Sequence, residues 1–204
     1  MTLDVRALRD AFGLFATGVT IVTGRKPGGE PVGVTANSFS SVSLAPPLLL
    51  WCLQRESTSL DAFTIGRAFA VHVLQLAQER EAMRFARRAA VKFPAGTDGV
   101  GEVPPLIEGA LCRFDCTVQA QHDGGDHLII VGQVTHFAQT GGEPLVFQNG
   151  VGDVQRGLVL RAASGELRAA GYGLWATGKR RWLEFAQLVE DFRAHCLRAW
   201  LDRR

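Results

Sequence analysis

Residues 111–138 read LCRFDCTVQAQHDGGDHLIIVGQVTHFA, and the reading of the whole fold turns on them. Two long stretches, Leu111–Gln121 and His127–Ala138, flank HDGGD, a turn with two adjacent glycines, so the segment reads as two antiparallel strands. In the first, Cys112, Phe114, Cys116, Val118 and Ala120 alternate with Arg113, Asp115, Thr117, Gln119 and Gln121. That period of two places both thiols on one buried face with Phe114 between them, where they act as small core hydrophobes. With Cys52 and Cys196 they give four cysteines, too sparse and irregular for a disulfide framework or a zinc site.

Upstream, the same reading applies repeatedly. VTIVT after Gly18, a turn at Pro27–Gly29, VGVT, the run LLLWCL after Pro46 and Pro47, and FAVHVL from Phe69 to Leu74 are β-branched or aromatic segments separated by turn signals. A helix is expected around Glu79–Arg88, then a Gly/Pro loop over Phe93–Pro105. At the start, Asp4 can cap a short helix carrying Leu8, Phe12 and Phe15. Strand follows strand without regular helical crossovers. The expected class is therefore mainly β, an antiparallel barrel with peripheral helices, not a doubly wound sheet.

From about Val151 the texture changes. Gly-rich, weakly patterned sequence runs to Gly178, and then Trp182, Phe185, Val189, Phe192, Cys196 and Ala199 recur at spacings of three and four. This predicts a domain over residues 1–150 and an extension over 151–204, with an amphipathic helix at about 181–201. Its apolar face could pack on its own domain, on a second subunit or on a partner.

A chain of 204 residues that is 47% hydrophobic and 21% charged can bury a sizeable core. A formal charge of +2 leaves no broad footprint for nucleic acid or an anionic membrane. No apolar stretch is long enough to span a bilayer, and MTLDVRALRDAF spreads charges at helical spacing where a signal peptide would have an apolar core. The expected location is the cytoplasm. Phosphate-loop, nucleophile-elbow and paired-histidine zinc motifs are missing, and GYGLWA at Gly171–Ala176 follows no convincing strand, so it is not a dinucleotide fingerprint.

The stretch GVTANSFSSVSLAPPLLLWCL, Gly33–Leu53, crowds Thr35, Asn37, Ser38, Ser40, Ser41 and Ser43 just before a buried strand. If a strand ends at Thr35, then Thr35, Ala36, Asn37 and Ser38 form an exposed turn whose amides and short side chains converge, as at binding rims without a phosphate loop. An ordinary polar turn is the alternative.

Taken in order, FATGVTIVT, that stretch, Ser57-Thr58 before Phe63, FAVHVL followed by Gln78, Phe85, Lys92-Phe93 and GGDHLIIVGQV resemble the short-chain flavin reductase family over roughly Leu8–Phe147. The resemblance implies an FMN-binding split barrel, Greek-key-like, that acts as an NAD(P)H:flavin oxidoreductase. It would reduce FMN or FAD by hydride transfer from NADH or NADPH and supply reduced flavin to a partner monooxygenase. A homodimer is implied as well. Thr35, Ala36, Asn37 and Ser38 would lie on the flavin ring and ribityl chain; Cys52, Leu53, Ser57 and Thr58 would contact ring and phosphate; and Phe93 would flank the ring. Gly125, Asp126 and His127 match a GDH motif associated with the nicotinamide nucleotide, with His127 as the functional histidine. His72 and His136 are expected to be structural, whereas His122 and His195 carry no signal. Family members commonly end the barrel with an aromatic-Arg-Gly-aromatic stretch, and this chain has Gln148-Asn149-Gly150-Val151 in that place. A non-catalytic flavin or haem carrier on the same barrel is the alternative function.

Overall fold

The computed structural model describes residues 3–88, 91–94, 97, 103–148, 159–163 and 166–170, the last two segments by backbone alone. Residues 1–170 form one compact unit. The elements in order are helix α1 (Val5–Gly13) and strands β1 (Thr17–Gly18), β2 (Thr20–Arg25), β3 (Pro31–Ala36), β4 (Ser40–Leu44) and β5 (Pro47–Gln54). A 3₁₀ turn (Leu60–Phe63), β6 (Ala68–Val73), a second 3₁₀ turn (Leu76–Gln78) and α2 (Glu79–Ala86) follow. The long strands β7 (Cys112–Gly124) and β8 (His127–Gln139) come next, then the short β9 (Val146–Phe147). Finally β10 (Val159–Ala163) and β11 (Glu166–Ala170) pair with each other antiparallel.

Seven strands form one sheet in the order β3-β2-β6-β7-β8-β5-β4, every neighbouring pair antiparallel. The sheet curls around a single interior. Val22, Val32, Trp51, Phe69, Val118 and Ile130, each from a different strand, converge there with Phe63 of the first 3₁₀ turn. Trp51 and Phe63 meet edge to face at 4.9 Å between ring centroids, an arrangement that adds about 0.5–1.5 kcal/mol beyond area burial. A second core, with Ile21, Leu74, Ala82, Phe85 and Ile107, fills the opposite face of β2 under α2. Strand β2 is consequently buried on both sides along its whole length.

Mainly β architecture with few helices is what the strand pattern predicts, and α2 falls where its helix is expected. Three expectations are corrected. First, the strand pattern names no strand between VGVT and LLLWCL, yet Ser40–Leu44 is strand β4, paired with β5 from Ser40↔Leu50 to Leu44↔Pro47. Its side chains are mostly exposed, so no apolar alternation marked it as a strand. Second, Thr35 and Ala36 belong to β3, and the exposed bend begins only at Asn37. Third, the alternation in β7 does not persist to Ala120. Pairing shifts from Val118↔Gly132 to Ala120↔Val131, so Gln119 is a bulge and Gln121 takes the next inward position, its amide donating to Phe63 O at 2.8 Å.

Asp4 caps α1, its carboxylate accepting the Arg6 amide at 2.9 Å and the Ala7 amide at 3.3 Å. The apolar residues of that region have no cover within the described chain: Phe12 is 70% exposed and Phe15 is 77% exposed. No helix among the described residues is long and apolar enough to cross a membrane. The expected helix at about 181–201 lies outside the described residues.

Candidate functional site

A cavity of about 860 Å³ opens where β3, β5 and the end of α2 meet, well within the size that ligand sites occupy. Its walls gather residues from distant parts of the chain. Strand β3 and the following bend contribute Gly33, Thr35, Ala36, Asn37 and Ser38; the end of β5 and the loop after it contribute Cys52, Leu53, Ser57 and Thr58; Phe93 and His127 complete it. Ten of the twelve residues singled out in the sequence thus line one cavity. Gly125 and Asp126 do not, and instead form the turn that presents His127.

Local structure explains the placement. Strand β3 reaches the cavity because Gly33 lets it pass under two rings: a Cβ there would sit 2.5 Å from Phe85 and 3.2 Å from Phe93. Those rings meet edge to face at 5.1 Å between centroids. Thr35 Oγ1 donates to Ala82 O at 2.6 Å, tying β3 to α2. Ser38 Oγ accepts the Cys52 amide at 2.9 Å and donates to the Cys52 carbonyl at 3.4 Å. These two hydroxyls are engaged in the scaffold. Asn37 and Thr58, by contrast, make no side-chain hydrogen bond among the described residues, and both line the cavity.

His127 opens β8 immediately after Gly125, whose φ of +76° suits glycine, and Asp126. Its Nδ1 lies 2.7 Å from Asp126 Oδ1; since a carboxylate only accepts, Nδ1 carries the proton. The same bond holds the Asp126 carboxyl below its ordinary range. His72 is different in kind. Fully buried, it sits with Nδ1 3.2 Å from Ile21 O and Nε2 accepting the Ile107 amide at 3.3 Å; burial drives its pKa down to about 4, so it is a neutral structural cross-tie. His136 is exposed on β8 opposite Asp115. Burial also pushes the Cys116 thiol up to about 12, in keeping with an inert core residue.

Charged residues outside the expected site set line the same cavity. Lys26 and Glu30 form an ion pair at 3.1 Å, Arg88 approaches Glu56 at 4.0 Å, and Lys92 Nζ donates to Gly33 O at 2.8 Å. Arg87 makes no side-chain hydrogen bond or ion pair among the described residues. The basic pair Arg87-Arg88 at the end of α2 was the available signal for an anion-binding wall. The lining therefore combines aromatic rings, neutral polar side chains and cations, a set suited to a planar ligand carrying phosphate.

The flavin reductase like domain family matches residues 12–153 of the chain. SmoA of Agrobacterium fabrum, an FMN reductase (NADH), is 45% identical over 145 residues, covering 71% of this chain and 83% of that protein. The reductase component of the flavin-dependent trigonelline monooxygenase of Acinetobacter baylyi is 42% identical over 147 residues, covering 72% of this chain but 47% of its own length. The chain spans about half the length of such longer curated relatives. Among solved structures, the Streptomyces globisporus NADH:FAD oxidoreductase in complex with NAD and FAD fragments aligns with a TM-score of 0.64 at 33% identity, covering 87% of this chain and 99% of that one.

Proposed function

Because this chain belongs to the flavin reductase-like domain family, we propose that it is an NADH-dependent flavin reductase, an oxidoreductase that reduces FMN or FAD and supplies reduced flavin to a partner monooxygenase. The observation that carries this reading is the single cavity bringing Asn37, Ser57, Thr58 and Phe93 into one space with His127. When bound, flavin supplies a two-electron acceptor and NADH the hydride, so the protein contributes placement, shielding and electrostatics.

The residues divide that work. Phe93, backed by Phe85, offers an aromatic wall for a flat ring. Asn37 and Thr58 supply free polar groups for its edge, and the cations Arg87, Arg88 and Lys92 in the lining favour a phosphate. His127, held by Asp126 through Nδ1, keeps Nε2 for the incoming nicotinamide nucleotide. Cys52 and Leu53 contribute through the strand that Ser38 clasps.

The same reading extends to organisation: an FMN-binding split barrel over about residues 1–150 with an extension to 204, acting in the cytoplasm. The uncovered apolar residues around α1 support a homodimer in which a second copy covers them. The test of function is steady-state oxidation of NADH and NADPH with added FMN, FAD or riboflavin. Turnover well above the free-flavin background is expected. Tight flavin binding without turnover would instead favour a carrier.

A further inference from the structure

Arg55 does not line the cavity, yet it ties a segment that does to the turn that presents His127. It follows Gln54, the last residue of β5, and precedes Glu56, Ser57 and Thr58 on the cavity wall. Three contacts link it to the end of β7 and the turn that follows. Its amide donates to Asp126 O at 3.0 Å, its Nε donates to Gly125 O at 2.7 Å, and its guanidinium pairs with the Asp123 carboxylate. The turn so gripped is the one that presents His127, whose ladder partner on β5 is Gln54.

We propose that Arg55 is a positioning residue: by clamping the Gly125–Asp126 turn to the 52–58 wall, it fixes His127 relative to the flavin-side residues. The inference rests on the functional reading above and adds to it a residue outside the cavity lining. Stability is not the reason for the arrangement. The Arg55 and Asp123 side chains are 42% and 81% exposed, and an ion pair between such groups contributes little to folding. What the contacts supply is direction. The guanidinium's planar fork reaches a carbonyl and a carboxylate at once, whereas a lysine would offer a single charged point. The backbone bond from residue 55 survives any substitution except proline, so removing the side chain loosens the turn without releasing it.

The experiment compares wild type, Arg55→Ala and Arg55→Lys in the full chain. Arg55→Ala is expected to raise the KM for NADH about tenfold while the Kd for FMN stays within about twofold, with Arg55→Lys intermediate. Hydrogen exchange at the residue 55 amide, which bonds to Asp126 O, should quicken in Arg55→Ala with no ligand present. Equal losses of FMN and NADH affinity with no recovery in Arg55→Lys would overturn the proposal in favour of a scaffold role. So would an unchanged KM and unchanged exchange in Arg55→Ala. A wild-type protein that oxidises no NADH would overturn the functional reading and this inference with it, while normal wild-type turnover beside an unaffected Arg55→Ala would overturn this inference alone.

Discussion

Ser38 stands opposite Cys52 in the continuation of the β4–β5 ladder, and its hydroxyl takes the place of a backbone partner, accepting the Cys52 amide at 2.9 Å and donating to its carbonyl at 3.4 Å. The main chain has bent away there to pass from β3 to β4. One side chain thereby bridges the two ends of the curled sheet. Ser38→Ala should leave the Cys52 amide without that partner and destabilise the fold by about 1–2 kcal/mol. Urea unfolding monitored by far-UV circular dichroism measures it, and a loss under about 0.3 kcal/mol would show that water replaces the hydroxyl at no cost.

Asn37, one residue earlier, is exposed and uncommitted. Asn37→Ala should therefore weaken FMN binding by about 0.5–1.5 kcal/mol and leave stability unchanged, the opposite pattern to Ser38→Ala. His127→Ala should spare FMN affinity and raise the KM for NADH or lower kcat. Calorimetric titration with FMN and initial rates on the same samples decide between these assignments.

His72 sets a pH dependence of stability. Its folded pKa of about 4 lies below the ordinary 6.5, so between these values the unfolded chain binds a proton that the folded one does not. Stability is then fully present above about pH 6.5 and falls as pH drops toward 4, with about 1.5 kcal/mol lost between pH 6.5 and 5 from this group. Denaturant midpoints across that window read the loss. A His72 ring seen by NMR to titrate near 6.5 in the folded protein would remove its basis.

Gly132 on β8 faces Phe69 across the interior, where a Cβ would lie 2.8 Å from Phe69 Cε1 and closer still to Cζ. Phe69 is fully buried and cannot retreat. Gly132→Ala is expected to cost about 1–3 kcal/mol by overpacking, seen as a lower Tm, although alanine ordinarily suits a strand better than glycine.

Phe12 and Phe15 carry the assembly prediction. Phe12→Asp with Phe15→Asp should convert a dimer to a monomer in light scattering at micromolar concentration, without unfolding it, because neither side chain is buried among the described residues. A wild-type protein already monomeric at that concentration would dispose of the proposed homodimer.

Strands whose residues alternate or carry β-branched runs were legible: β2, β3, β5, β6, β7 and β8 fall where the pattern puts them. Strand β4 was not, because Ser40, Ser41 and Ser43 lie on a mostly exposed edge and have no apolar face to betray them. The candidate site was legible as a set of residues but not as a division of labour. Thr35 and Ser38 look alike beside Asn37, and only their distant partners, Ala82 and Cys52, show that their hydroxyls serve the scaffold. Arg55 carried no local mark at all, since its partners Asp123, Gly125 and Asp126 come from a segment far away in sequence.

The strand order has a consequence for how the chain comes together in time. Strand β5 is made early, but it pairs inward with β8, and β2 must wait for β6. Such pairings must close long loops before they return any contact energy, which places this protein among slow-folding β topologies. During synthesis the apolar strand β5 lacks its partner β8 until residues 127–139 leave the ribosome, so LLLWCL is the segment most in need of a chaperone's attention in that interval.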